Sequence, residues 1–163
     1  MYGISMYDIV AQILSAGGPP LVRARSVAPL QRTLRELNDD LGRTGGLTTW
    51  RNTLRFEPSP DGGTRAEGAN AAFMQLAGEG ILVAEGAGWE AHYTVDEERL
   101  RPHRLAVRRL NADEATAVYR AGRRWAALAA TELKSASISP TSSPVHVASS
   151  GPNLLKLADR GSR

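Results

Sequence analysis

The sequence predicts an α+β fold in which helices with one apolar face each surround a small antiparallel sheet, with a long C-terminal helix and a tail. Three observations carry this prediction. Leu30, Leu34, Leu37 and Leu41 recur at i, i+4, i+7 and i+11 while Arg32, Arg35, Glu36, Asp39 and Asp40 take the other side, which is the pattern of an amphipathic helix. Residues 64–95, TRAEGANAAFMQLAGEGILVAEGAGWEAHYTV, read as a helix that stops at Gly80 and then two short strands joined at a glycine turn. From Asp113 to Lys134 a third periodic stretch places Ala115, Val118, Tyr119, Trp125, Leu128, Ala129 and Leu133 where they can line one side of a long helix. At 163 residues the chain suits one core. The predicted division is a domain over 1–134 and a flexible tail over 135–163.

In chain order, Ile9, Val10, Ile13 and Leu14 fall at helical spacing within residues 4–15, before a break at Gly17-Gly18-Pro19-Pro20. Ser26 is placed to cap the leucine helix, Pro29 lies in its first turn where a missing N–H costs little, and Gly42 is expected to close it. Residues 47–56, LTTWRNTLRF, fit both periods: Leu47, Trp50 and Leu54 suit a helix, whereas Trp50, Leu54 and Phe56 suit alternation. Two adjacent threonines, Thr48 and Thr49, with the Trp and Phe favour a strand, ended by the Pro58 to Gly63 loop. Thr64 and Glu67 have the T-x-x-E spacing of a capping box, so the next helix is expected to start at Thr64 and to bury Ala66, Ala69, Phe73, Leu76 and Ala77. Glu85-Gly86-Ala87-Gly88 supplies the turn, and Trp89, Ala91, Tyr93 and Val95 alternate with Glu90, His92 and Thr94 on the returning strand. Pro102 argues against one continuous helix across the basic segment Arg99 to Leu110, in which Leu100, Leu105, Val107 and Leu110 are interleaved. Asn111 or Asp113 can cap the long helix, with acids near its start and Lys134 near its end to suit its dipole. The Ser- and Pro-rich residues 135–151 hold few large apolar side chains and read as disordered, with a weak helical turn at 154–157.

Composition narrows the function classes. No apolar run approaches the roughly 20 residues of a membrane span, and the first residues lack the order of a signal peptide. Without cysteine there is no disulfide framework, thiol nucleophile or thiolate metal site, and a reducing cytoplasm is the expected compartment. The net charge of +3 is unevenly spread: residues 1–98 carry 8 basic and 13 acidic side chains, residues 99–134 carry 9 and 3, and the remainder 3 and 1. Basic character is therefore local, just beyond the hairpin.

The helix, then Leu76-x-x-x-Gly80-Ile81-Leu82-Val83, then a glycine turn and a strand ending Tyr93-x-Val95, resembles the last helix and wing of winged helix-turn-helix domains. The resemblance covers residues 64–95, and implies a winged-helix-like core and double-stranded DNA as partner, with the helix entering the major groove and Arg65, Asn70 and Gln75 as its readers. Arg99, Arg101, Arg104, Arg108 and Arg109 follow the hairpin and could neutralise phosphates. Arg120, Arg123 and Arg124 extend the set, although Arg123-Arg124 could instead pair with Asp39-Asp40 or with Asp96 to Glu98. Glu67, Glu79, Glu85 and Glu90 surround the reading residues with the unfavourable sign. The function expected is DNA binding, as a transcriptional regulator whose helix 113–134 offers a homodimer contact. The alternative is a protein-protein interaction module, an adaptor or antitoxin-like partner on the same scaffold. No catalytic residue, cofactor or metal site is expected: His92, His103 and His146 lack zinc-helix spacing, Glu90 and His92 together read as a solvated strand face, and neither glycine pair has a phosphate-loop context.

Overall fold

A computed structural model describes residues 3–17 and 23–137, the side chain of Trp89 excepted. The predicted tail beyond Ser137 and the Gly18-Pro19-Pro20 part of the first break lie outside the described residues. Over the described residues the architecture is α+β, with six α-helices and two separate two-stranded antiparallel sheets.

The helix Met6–Ala16 (α1) lies at the centre, with every residue from Ile9 to Ala16 buried. Its start is fixed by a capping box in which Ser5 Oγ accepts the Asp8 N–H at 3.1 Å and the Asp8 carboxylate accepts the Ser5 N–H at 3.2 Å. Three later helices pack on it: Ala69–Gly78 (α4), Arg101–Val107 (α5) and Ala112–Ser137 (α6). The crossing with α6 is close because two glycines meet there. A Cβ on Gly122 would lie 2.6 Å from both Gly17 N and Ile13 O, so no larger residue fits without separating the helices. Trp125, Val118 and Ala129 extend the same buried face of α6.

Ala28–Thr44 (α2) packs against α6 through the predicted leucines, all buried. Ser26 does not make the helix cap bond, and bonds Glu132 of α6 as well as the Ala28 N–H. Gly42 does not close α2: the helix continues nearly one turn further to Gly45, whose φ of 71° and N–H bond to Leu41 O at 2.9 Å form the left-handed stop.

Residues 47–56 correct the expectation of a strand. Thr48–Thr53 is a short helix (α3), and Leu47, Trp50 and Leu54 are buried on one side of it. Burial at i, i+3 and i+7 outweighed the strand preference of Thr48 and Thr49, which stand exposed. Leu47 itself enters α3 with a φ of 47°, unusual for a branched side chain and maintained by its burial.

The start at Thr64 is also corrected. Phe56–Pro58 (β1) and Thr64–Ala66 (β2) form a hairpin in the register Phe56↔Ala66, Glu57↔Arg65 and Pro58↔Thr64. Thr64 is thus in a strand, and α4 begins only after Gly68 turns the chain with a φ of 76°. The capping-box spacing was coincidental; hairpin pairing engages the residues it needs. The predicted core positions Ala66, Ala69, Phe73 and Leu76 are nevertheless buried.

Leu82–Glu85 (β3) and His92–Val95 (β4) pair as predicted, with Leu82 opposite Val95 and Glu85 opposite His92. A 3₁₀ turn at Gly88–Glu90 replaces the first part of the expected returning strand. Gly86 there has a φ of 76° and room for no side chain, since a Cβ would lie 2.7 Å from Glu90 O. Tyr93 meets Phe73 edge to face at 5.3 Å, and Ala24 bridges to Tyr93 from the other side, so the hairpin is anchored to α4 and to the segment before α2. On α6, Asn111 caps through its side chain to Glu114 N at 2.9 Å, and the helix runs past Lys134 to Ser137, three residues into the predicted tail. Tyr119 is not part of the buried side, at 38% exposure. Among the described residues no helix is long and apolar enough to cross a membrane.

Candidate nucleic-acid interface

The chain leaves β4 and enters α5 through a turn tied at both ends. Asp96 N–H donates to Ile81 O at 2.9 Å, holding the turn to the base of the hairpin, and the Asp96 carboxylate accepts the Glu98 and Arg99 N–H groups at 3.0 and 3.2 Å. Pro102 occupies the first turn of α5, where its ring suits a helix start. The residues of α5 then separate by face. Leu100 and Val107 are buried, and His103 sits edge-on to Tyr7 of α1 at 5.8 Å. Arg101, Arg104, Leu105 and Arg108, at i, i+3, i+4 and i+7, point outward and line a groove of about 370 Å³ together with Glu97 and Glu98.

A polar cluster fastens this helix to the end of α4. Arg99 donates to Glu79 O at 2.7 Å, Gln75 donates to the Glu79 carboxylate at 2.9 Å, and the Tyr7 hydroxyl donates to the other carboxylate oxygen. The bond from Tyr7, followed by that from Gln75, holds Glu79 below the usual carboxylate range. Burial and the adjacent Glu79 push the Tyr7 phenol up to about 12.

The predicted DNA-binding residues divide accordingly. The structure brings Arg101, Arg104 and Arg108 together, and leaves Arg109 exposed just past the helix. None of these four forms an ion pair among the described residues. The other four are engaged. Arg65 lies on β2 and not on a helix, and pairs with Glu57 at 2.8 Å. Asn70 accepts from Gln31 at 2.9 Å, Gln75 is held by Glu79, and Arg99 is shared between Glu79 O and Asp96, the latter at 3.6 Å. The outward side of α4 otherwise presents Ala71, Met74 and Gly78. Nor do α3 and α4 meet across a short turn, since the β1–β2 hairpin stands between them.

The arginines of α6 behave differently again. Arg124 makes a two-pronged contact with Glu36 of α2, at 2.7 and 2.9 Å, and Arg32 adds a bond to the same carboxylate at 3.1 Å. The Arg124 bond, with the smaller one from Arg32, holds Glu36 below the usual carboxylate range. Arg120 lies 3.9 Å from Asp40. The alternative pairing of Arg123-Arg124 with Asp39-Asp40 or with Asp96 to Glu98 is not formed: Arg124 pairs with Glu36, one turn before Asp40, and Arg123 is exposed and forms no ion pair among the described residues.

No family model, no curated protein and no solved structure matches this chain.

Sequence reasoning missed that Glu97, Glu98 and Leu105 share the groove, although the spacing 97, 101, 104 and 108 carried the signal. Glu90 and His92 do not stand side by side on a strand: Glu90 lies in the 3₁₀ turn, and its carbonyl accepts from His92 Nδ1 at 2.7 Å. Among the described residues no three His, Asp or Glu side chains are grouped to hold a metal ion. What the groove offers is a row of guanidinium groups in water, suited to forked hydrogen bonds with phosphate oxygens.

Proposed function

We propose that the protein binds double-stranded DNA in the manner of a winged-helix regulator, with the outward stripe of α5 as its main contact. The observation that carries this reading is that Arg101, Arg104 and Arg108 follow one another along a single groove without acid partners at ion-pair distance, directly after the hairpin. Other arginines without ion pairs, such as Arg23, Arg51 and Arg123, stand on other elements. The succession of α4 and the β3–β4 hairpin supports the resemblance to a winged helix, and a cysteine-free chain suits work in a reducing cytoplasm. Three phosphate contacts give a salt exponent near −2.7, so affinity for a labelled duplex should fall about 40-fold between ~50 and ~200 mM salt. Absence of duplex binding at the lower salt removes the reading.

A second reading, a protein-interaction module, is favoured by one specific feature. Met74 is 60% exposed on α4 beside Ala71 and Gly78, an uncharged strip along that helix. Co-purification of one stoichiometric polypeptide, lost in Met74→Glu, supports it; unchanged recovery with that variant counts against it.

A further inference from the structure

We infer that this interface grips the sugar–phosphate backbone of duplex DNA and does not read its base sequence. The inference rests on the DNA-binding reading above and specifies what the site recognises. Base readout requires donors and acceptors free to meet the edges of the bases in the major groove. The α4 side chains that could do so are already engaged: Asn70 with Gln31, Gln75 with Glu79, and Arg65, displaced onto β2, with Glu57. Their neighbours on the outward side, Ala71, Met74 and Gly78, have no hydrogen-bonding side-chain group. The hairpin brings Glu85 and Glu90, which repel phosphate and do not supply the arginine or amide readers used for guanine and adenine.

The α5 stripe has the dimensions of a backbone contact. Seven residues separate Arg101 from Arg108, which at a rise of 1.5 Å each is about 10 Å along the helix. One strand of duplex DNA places a phosphate every ~3.4 Å of axis, so roughly three phosphates face three arginines. A stripe this short and straight can follow one strand, and phosphate contacts by themselves fix position without carrying sequence information.

The test is selection from a duplex library with a random central segment, using the full chain, followed by direct titration of several 20-base-pair duplexes of different sequence. No motif should be enriched, and affinities should agree within about threefold, whereas base-reading proteins separate specific from non-specific sites by roughly 10³-fold or more. Asn70→Ala and Gln75→Ala, checked for retained folding by circular dichroism, should bind as the parent does. An enriched motif bound at least tenfold more tightly, or a sequence preference lost in either variant, overturns the inference while leaving DNA binding intact. Failure to bind any duplex overturns the DNA-binding reading itself, and this inference with it.

Discussion

Helices α5 and α6 are both rich in arginine and adjacent in sequence, yet they use the residue in opposite ways. On α6, Arg120 and Arg124 turn toward the acids of α2 and help hold two helices together. On α5, Arg101, Arg104 and Arg108 turn away from the core and meet no partner at ion-pair distance. The difference lies in what each helix packs on. The face of α2 beside α6 carries Glu36 and Asp40 four residues apart, so carboxylates await the guanidinium groups there. Where α5 packs on α1, His103 meets Tyr7, and among the described residues no carboxylate lies at ion-pair distance from the outward arginines of α5. Equal charge in a sequence thus becomes architecture in one place and an available surface in the other.

The largest effect that sharpens this contrast comes from separating α6 from its support. Gly122→Ala puts a methyl group onto the backbone of Gly17 and Ile13 and should destabilise the fold by about 3 kcal/mol, read as a lower denaturant midpoint. A neutral result would mean that the close crossing does not position α6. Next, Arg104→Gln should weaken duplex binding about eightfold near 0.1 M salt while leaving the melting midpoint where it was. Loss of stability alongside affinity would show that α5 arginines are structural after all. Smaller still, Glu97→Gln and Glu98→Gln should each tighten binding about twofold, as expected for a charge ~10 Å from a phosphate in water. Weaker binding in these variants would mean that the carboxylates organise the groove.

The last contrast is with pH. The Glu36 carboxyl is depressed in the fold, so its contribution is present at neutral pH and is lost as pH falls below the ordinary carboxylate value toward its own. Arg124→Gln should therefore lower stability modestly at neutral pH, flatten the acid limb, and change duplex affinity less than twofold. Tyr7 is shifted the other way, from 10 to about 12, so its contribution is complete below pH 10 and disappears between 10 and 12. Tyr7→Phe should show its deficit below pH 10 and converge with the parent above 12; a constant deficit across that range would dissociate Tyr7 from Glu79.

Much of the fold was legible in the sequence because long-period burial is written into it. The leucine ladder of α2, the buried side of α6 and the β3–β4 hairpin all follow from spacing that the structure realises. The failures occurred where two periods or two partners competed. Residues 47–56 satisfied both a helix and a strand, and the choice turned on Leu47 and Trp50 reaching the core, which local preference does not encode. Thr64 and Glu67 had the spacing of a cap, but Thr64 pairs with Pro58 and the Glu67 N–H donates to Arg55 O. The candidate site was half legible. The basic segment was plain from charge, whereas Arg99 was lost to Glu79 and Arg65 to Glu57 by contacts between distant or hairpin-related positions. Net charge alone could not separate the engaged arginines from the available ones.

The measurement that addresses the central contrast most directly is the slope of log affinity against log salt for a duplex, compared between the parent chain and Arg101→Gln/Arg104→Gln/Arg108→Gln. The α5 stripe predicts a slope near −3 for the parent and a value close to zero for the triple variant, with the melting midpoint unchanged. A triple variant that keeps the parent slope would contradict it and place the phosphate contacts elsewhere on the molecule.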